Sequence, residues 1–229
     1  MKKLIITNGC SFTVGAELDN IPTQAYPYLI GNKLNREVIN LAYNGKSNEA
    51  ILRTTIDYLA GLDLNKYDPI LIIGWSGISR KEIFVNGSWL KITPTQMGHD
   101  PYAKAHFKYL QSEKQDNLEF FNHVLLMQLL LEKLKINYFF FRIDNGQTPQ
   151  MLKDGSKREV TDGYDLSHIP SHDHIKLINL DRFPGYNDDS LTFREYALSN
   201  GGGLKPQRHP DEISHSLFAD YIMTQLNSK

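Results

Sequence analysis

The stretch Thr7–Gly15 (TNGCSFTVG) brings Ser11 out of an apolar run through Gly9 and Cys10, with a second glycine, Gly15, four residues beyond the serine. A structural turn needs one permissive residue; a serine held for attack needs more. A hydroxyl becomes a nucleophile only with a base within hydrogen-bond reach and with donors waiting for the oxyanion it creates. Three further segments carry such groups. NLAYNGKSN (Asn40–Asn48) contains Gly45, whose bare backbone lets an N–H approach a ligand closely. IIGWSGISR (Ile72–Arg80) passes through Gly74 into Trp75 and Ser76. RHPDEISH (Arg208–His215) places His209 before a proline and His215 six residues later, so the two imidazoles cannot point the same way on one helix. The competing structural role for Ser11 is a helix cap, in which the hydroxyl merely satisfies an orphan N–H.

Positioning these groups requires strands that end together. KLIIT (3–7), EVINLA (37–42), PILIIGW (69–75), INYFFFR (136–142) and IKLINL (175–180) have the β-branched and aromatic content of buried strands. Helical spacing of apolar residues marks 25–34, 47–62, 116–135 and 210–227, with Ser47 as a cap and Pro210 at a first turn. Strands alternating with helices predict an α/β fold with a parallel sheet covered by helices on both faces and right-handed crossovers. Ligands of such sheets sit at the carboxyl ends of the strands, where the strand order reverses. Two segments interrupt the alternation, 79–115 with an Asn-Gly hairpin in FVNGSWLKI, and 144–173, rich in Gly, Pro, Asp, Ser and His; each reads as a lid or as a peripheral insertion.

Composition narrows the partners. The chain has 229 residues, 41% hydrophobic and 22% charged, with a formal net charge of −1. Nothing basic enough to neutralise a nucleic-acid backbone is present, so no nucleic-acid partner is expected. The apolar run after MKK is too short for a secretory h-region, and no run spans a bilayer, so a cytoplasmic protein without a membrane partner is expected. Cys10 is the single cysteine, which rules out an internal disulfide.

The order and spacing of GCSFTVG, NLAYNGKSN, IIGWSGISR and HPDEISH resemble the four blocks of the SGNH (GDSL-type) hydrolase superfamily. The resemblance spans residues 1–229 as one domain and implies a three-layer α/β/α sandwich on a parallel, flavodoxin-like sheet, and a serine esterase acting without metal or cofactor on a small-molecule or glycan ester, such as an acylated carbohydrate. It puts Ser11 as nucleophile and His209 as base, and the oxyanion donors at Ser11, Gly45 and Ser76, with Asn48 as a substitute donor. The chain departs from the pattern in three places. Cys10 stands where the superfamily has an acid before the serine, Ser76 where it has an asparagine, and Pro206 where an acid three residues before the histidine orients the base. A Ser–His dyad therefore emerges as the expected machinery, the alternative being a catalytically silent carbohydrate-binding or assembly protein on the same fold.

Trp75 and Arg80 are candidate substrate-binding residues, the alternatives being core packing for Trp75 and a surface ion pair with Glu82 for Arg80. Asp211, beyond His209, fits a helix N-terminus better than a catalytic role. HIPSHDH (168–174) has the residue types of a zinc site but not its spacing, and reads as a solvated loop.

Overall fold

The computed structural model describes residues 1–145, 150–151, 157–158 and 175–227. Four parallel strands form the central sheet: β1 (Lys2–Asn8), β2 (Glu37–Asn40), β3 (Tyr67–Trp75) and β6 (Asn137–Arg142), in the order β2-β1-β3-β6. From β1 the chain moves outward to β2, then returns to build β3 on the other side. The order thus reverses between β1 and β3, and their carboxyl ends open the crevice where such sheets bind ligands. The register pairs Asn8 with Ile73 and Trp75 with Arg142, so the β1 and β3 ends lie side by side.

Between these strands lie α1 (Ser11–Val14), α2 (Ile21–Gln24), α3 (Tyr26–Leu34) and α4 (Asn48–Ala60). After β3 come an antiparallel hairpin, β4 (Lys81–Val85) and β5 (Ser88–Ile92), the short α5 (Pro101–Ala105) and the long α6 (Glu113–Leu134). The chain closes with α7 (Phe193–Ser199) and α8 (Glu212–Asn227).

Alternation along the strands sends side chains to two separate cores. Leu71, Ile73 and Trp75 of β3 meet Phe120, Val124, Met127 and Leu131 of α6, with Ile51 and Leu59 of α4 on the same face. Ile70 and Ile72 join Phe139 and Phe141 of β6 on the opposite face, against Tyr26, Ile30, Phe193, Phe218 and Ile222. Both faces of a parallel sheet must be covered, and this is the three-layer α/β/α sandwich the sequence predicts.

Most expected elements appear close to their predicted limits. Ser47 caps α4, its hydroxyl accepting from the Ala50 N–H at 3.3 Å. The Asn86-Gly87 pair turns the β4–β5 hairpin with φ of 51° and 81°, the left-handed values that a two-residue turn of this kind demands. One expectation fails. The residues 175–180 form turns rather than a strand: only Ile178 is buried, while Leu177 and Leu180 are exposed. That segment is anchored instead to α6 by the Gln128 amide, which donates to the Leu177 carbonyl and accepts from the Asn179 N–H. The edge of β6 receives a single bond there, from the Phe140 N–H to the Arg182 carbonyl. Of the segment 144–173, most lies outside the described residues, as does HIPSHDH apart from the turn that follows it. Among the described residues no helix is long and apolar enough to cross a membrane.

Candidate active site

Ser11 leaves β1 not as a cap but as the first residue of α1; the flanking Cys10 holds the N-cap position without a capping side-chain bond. The elbow is tight. A Cβ at Gly9 would stand 2.2 Å from the Thr13 hydroxyl and 2.9 Å from the Gly74 carbonyl, so only glycine lets the β1 and β3 ends close on the short helix. Asn8 fixes the strand side of that elbow. Its Oδ1 accepts from the Gly9 N–H, while its Nδ2 faces the Ile51 carbonyl and the Thr54 and Thr55 hydroxyls of α4 at 2.8–3.1 Å. The Asn40 amide, at the end of β2, donates to the Thr13 carbonyl from the other side. Ser11 itself is 8% exposed, and its hydroxyl has one contact, with the Cys10 sulfur at 4.0 Å.

His209 sits on a small turn closed by Lys205 N–H to His209 carbonyl and Arg208 N–H to Lys205 carbonyl bonds. Its ring packs edge-on against Phe12, the residue after Ser11, with centroids 5.8 Å apart. The Nδ1 atom lies 2.6 Å from the Glu17 carboxylate, which also accepts the Gln207 N–H. No residue close to His209 in sequence supplies such a carboxylate. Burial works against the charged form of Glu17, but the hydrogen bond from His209 and the N–H of Gln207 outweigh it, and the carboxyl is held below its ordinary range. An ionised carboxylate can only accept, so Nδ1 carries the hydrogen of this bond. Glu17 at φ 67° and Arg208 at φ 68° both occupy the left-handed region that non-glycine residues rarely enter, one at each end of this bond. Ser11 and His209 are not hydrogen-bonded to each other.

His215 takes the other role open to the pair. It is fully buried, accepts the Tyr26 N–H at Nδ1 (3.1 Å) and stacks on the Tyr26 ring. Burial pushes its imidazole down to about 3, so it is neutral at neutral pH. Asp211 caps α8 by accepting from the Ser214 N–H at 2.8 Å, as expected for an acid at a helix start.

The remaining expected residues are distributed unevenly. Gly45 lies at the end of the β2 loop with φ 72°. The N–H groups of Ser11 and Gly45 donate to no carbonyl or side chain among the described residues. Asn48 is committed elsewhere: its Oδ1 accepts the Ser76 N–H at 2.8 Å and its Nδ2 donates to the Ser76 carbonyl at 2.9 Å, so it clamps the turn after β3. The Ser76 hydroxyl accepts from Arg80 at 3.0 Å, and Arg80 lies over a water-sized polar pocket with Asn48, Glu49 and Lys81. Of the two readings of Trp75, pocket lining and core packing, the structure shows core packing. It is fully buried, its ring edge-on to Phe120 and Phe140 at 6.0 and 5.7 Å, because its place in the strand alternation points it at α6.

The geometry can be set beside known proteins. No curated protein matches the chain. Solved structures do, at low identity. A member of the lipolytic protein G-D-S-L family from Veillonella parvula DSM 2008 is 11% identical, with 97% of each chain covered and a TM-score of 0.50. A structure described as a putative lipolytic protein of the G-D-S-L family, from Desulfitobacterium hafniense DCB-2, is 16% identical over 97% of this chain and 98% of its own, with a TM-score of 0.52. The acetyl xylan esterase AlAXEase is 16% identical, covering 96% of this chain and 98% of its own, also at 0.52. At these identities the likeness is one of fold, and the fold is a divergent SGNH hydrolase fold. A family model described as a family of unknown function (DUF6071) matches residues 17–227, nearly the whole length. The chain belongs to that family.

Proposed function

We propose that the protein is a serine esterase in which Ser11, His209 and Glu17 act as a triad on a carboxylic ester, with a small-molecule or acylated carbohydrate as substrate class. The observation that carries this reading is the 2.6 Å bond between His209 Nδ1 and Glu17, which supplies the acid that sequence spacing left missing. The acetyl xylan esterase among the structures of this fold supports the same class.

In this mechanism Nε2 of His209 takes the Ser11 hydroxyl proton as Oγ bonds to the ester carbonyl carbon. The charge that develops on the carbonyl oxygen is met by the N–H groups of Ser11 and Gly45, with the turn at Ser76 held in place by Asn48. Collapse of the tetrahedral intermediate breaks the carbon–alkoxide bond, and Nε2 returns the proton to the leaving alcohol. Water then repeats the sequence: Nε2 removes its proton, hydroxide adds to the acyl carbon, and Oγ departs with the proton restored. Glu17 keeps the imidazole in the tautomer this requires and stabilises the imidazolium between the two transfers.

The test is hydrolysis of short-chain p-nitrophenyl esters by the wild type, Ser11→Ala and His209→Ala, together with labelling of Ser11 by a fluorophosphonate probe. Turnover lost in both variants and a label lost with Ser11 establish the mechanism; turnover retained in Ser11→Ala overturns it. The second reading, a silent carbohydrate-binding protein, draws on the absence of a Ser11–His209 bond. Glycan binding with neither turnover nor labelling would decide for it.

A further inference from the structure

The β4–β5 hairpin folds over the loop that carries Gly45, and the charges it brings there are unbalanced. Lys91 of β5 stands directly opposite Glu82 of β4 in the hairpin register, where an ion pair would ordinarily form. Glu82 turns away from it. The Glu82 carboxylate is taken by Arg53 of α4 at 2.7 Å and by the Tyr43 hydroxyl. Lys91 instead reaches across Gly45, its Nζ donating to the Asn44 carbonyl at 3.1 Å and lying 3.0 Å from where a Cβ on Gly45 would be.

A second ammonium approaches the same loop from beneath. Lys46 is fully buried; its Nζ donates to Asn8 Oδ1 and the Leu41 carbonyl, both at 2.8 Å, and lies over the Tyr43 ring. Among the described residues neither Lys46 nor Lys91 has a carboxylate within ion-pair distance. Arg53 and Glu82 pair with each other near Lys46, so that among the described residues Lys46 and Lys91 are left without a carboxylate of their own, on a chain whose net charge is −1. A buried ammonium without a counter-charge is costly, and it persists where something else offsets it. Burial lowers the Lys46 ammonium to about 8, against the opposing pull of Glu82, so it is still charged at pH 7.

We infer that the Gly45 loop is a seat for an anionic group carried by the substrate next to its ester: Lys91 makes the direct contact, and Lys46 supplies fixed positive charge from below. The substrate class is thus an ester bearing a carboxylate or another oxyacid anion, rather than a neutral acyl ester. The inference takes the position of the scissile bond from the triad reading; the seat itself does not depend on that reading.

Two arms at pH 7 and constant ionic strength separate the claims. The first compares mono-p-nitrophenyl succinate with p-nitrophenyl acetate. The preference for the charged ester, as a ratio of kcat/KM values, is expected to fall about tenfold in Lys91→Met, the loss of one charge-assisted contact, and to hold in Lys133→Met, a charge-matched change on the exposed face of α6. An unchanged ratio in Lys91→Met overturns the seat. The second arm follows binding of succinate and of inorganic phosphate to Ser11→Ala by NMR, beside the Ser11→Ala/Lys91→Met and Ser11→Ala/Lys46→Met double variants. Saturable binding that weakens in both double variants supports the seat, and the better of the two probes identifies the anion. Failure of both anions to bind overturns it. If neither ester is turned over by the wild type, the triad reading fails, and the second arm alone decides the seat.

Discussion

The residue that most changes the view of this site is Glu17. In sequence it lies beyond the helix that Ser11 opens, 192 positions from His209, and nothing beside the histidine points to it. The bond becomes visible only when the left-handed turn after Gly15 swings its carboxylate under the turn that holds His209. In the proposed triad its contribution is electronic and orientational rather than structural, since its side chain is partly exposed and lies outside both cores. Glu17→Gln keeps an acceptor for the Gln207 N–H but removes the charge that fixes the imidazole. We expect kcat to fall by about 10²–10⁴-fold with KM and the melting temperature little changed. A loss of less than threefold in steady-state kinetics would mean that the histidine is oriented by something else. Trp75 makes the opposite point at this scale: a side chain next to a functional turn still obeys the alternation of its strand, and the core claims it.

At the scale of elements, the site is assembled where β1 meets α4, and Asn8 is the joint. Its single amide is bonded to the elbow N–H, to one carbonyl and two hydroxyls of α4, and to the Lys46 ammonium, all in a fully buried place. Asn8→Ala would strand the ammonium and the Gly9 N–H together, so its cost should reach about 3 kcal/mol or more. Ser47→Ala, which removes only the α4 cap, should cost about 1 kcal/mol. Urea unfolding of the two variants checks the ranking; equal losses would show that Asn8 is not the joint. The same comparison explains what the sequence could and could not reveal. Strands β1, β3 and β6 are runs of buried aliphatic and aromatic residues, and the Ser47 cap and Asn86-Gly87 turn are local chemistry, so each was legible in short windows. The segment 175–180 has the composition of a strand, but Gln128 on α6 claims its backbone, a contact 49 and 51 residues away that no window contains. Glu17, Asn8 and Lys46 were hidden for the same reason, because each acts through a partner distant in the chain.

For the molecule as a whole, the buried titratable groups set how stability depends on pH. His215, His123 and His106 are all pushed below the ordinary histidine value by burial, His215 to about 3 and His123 to about 4. A depressed histidine binds its proton in the unfolded chain before the folded one, so stability is lost as pH falls below about 6.5. Each such group contributes a slope of at most about 1.4 kcal/mol per pH unit. The alkaline side has the same sign for a different reason. Lys46, lowered to about 8 by burial, is neutral in the fold above that pH while its unfolded counterpart remains charged to about 10.5. Stability should therefore keep rising between about pH 8 and 10, until the tyrosines, whose hydroxyls burial raises, begin to ionise more readily in the unfolded chain and reverse the trend. Chemical denaturation from pH 5 to 10 reads both limbs. His215→Asn, which keeps an acceptor for the Tyr26 N–H, should make the acid limb shallower, leaving the share of His123 and His106, without changing the alkaline limb, and Lys46→Met should flatten the alkaline limb without changing the acid one. A wild-type curve that is flat from pH 8 to 10 would mean that burial does not lower the Lys46 ammonium, which would then keep its charge in the fold across that range; a Lys46-dependent rise already under way below pH 7 would instead remove the charge proposed beneath Gly45.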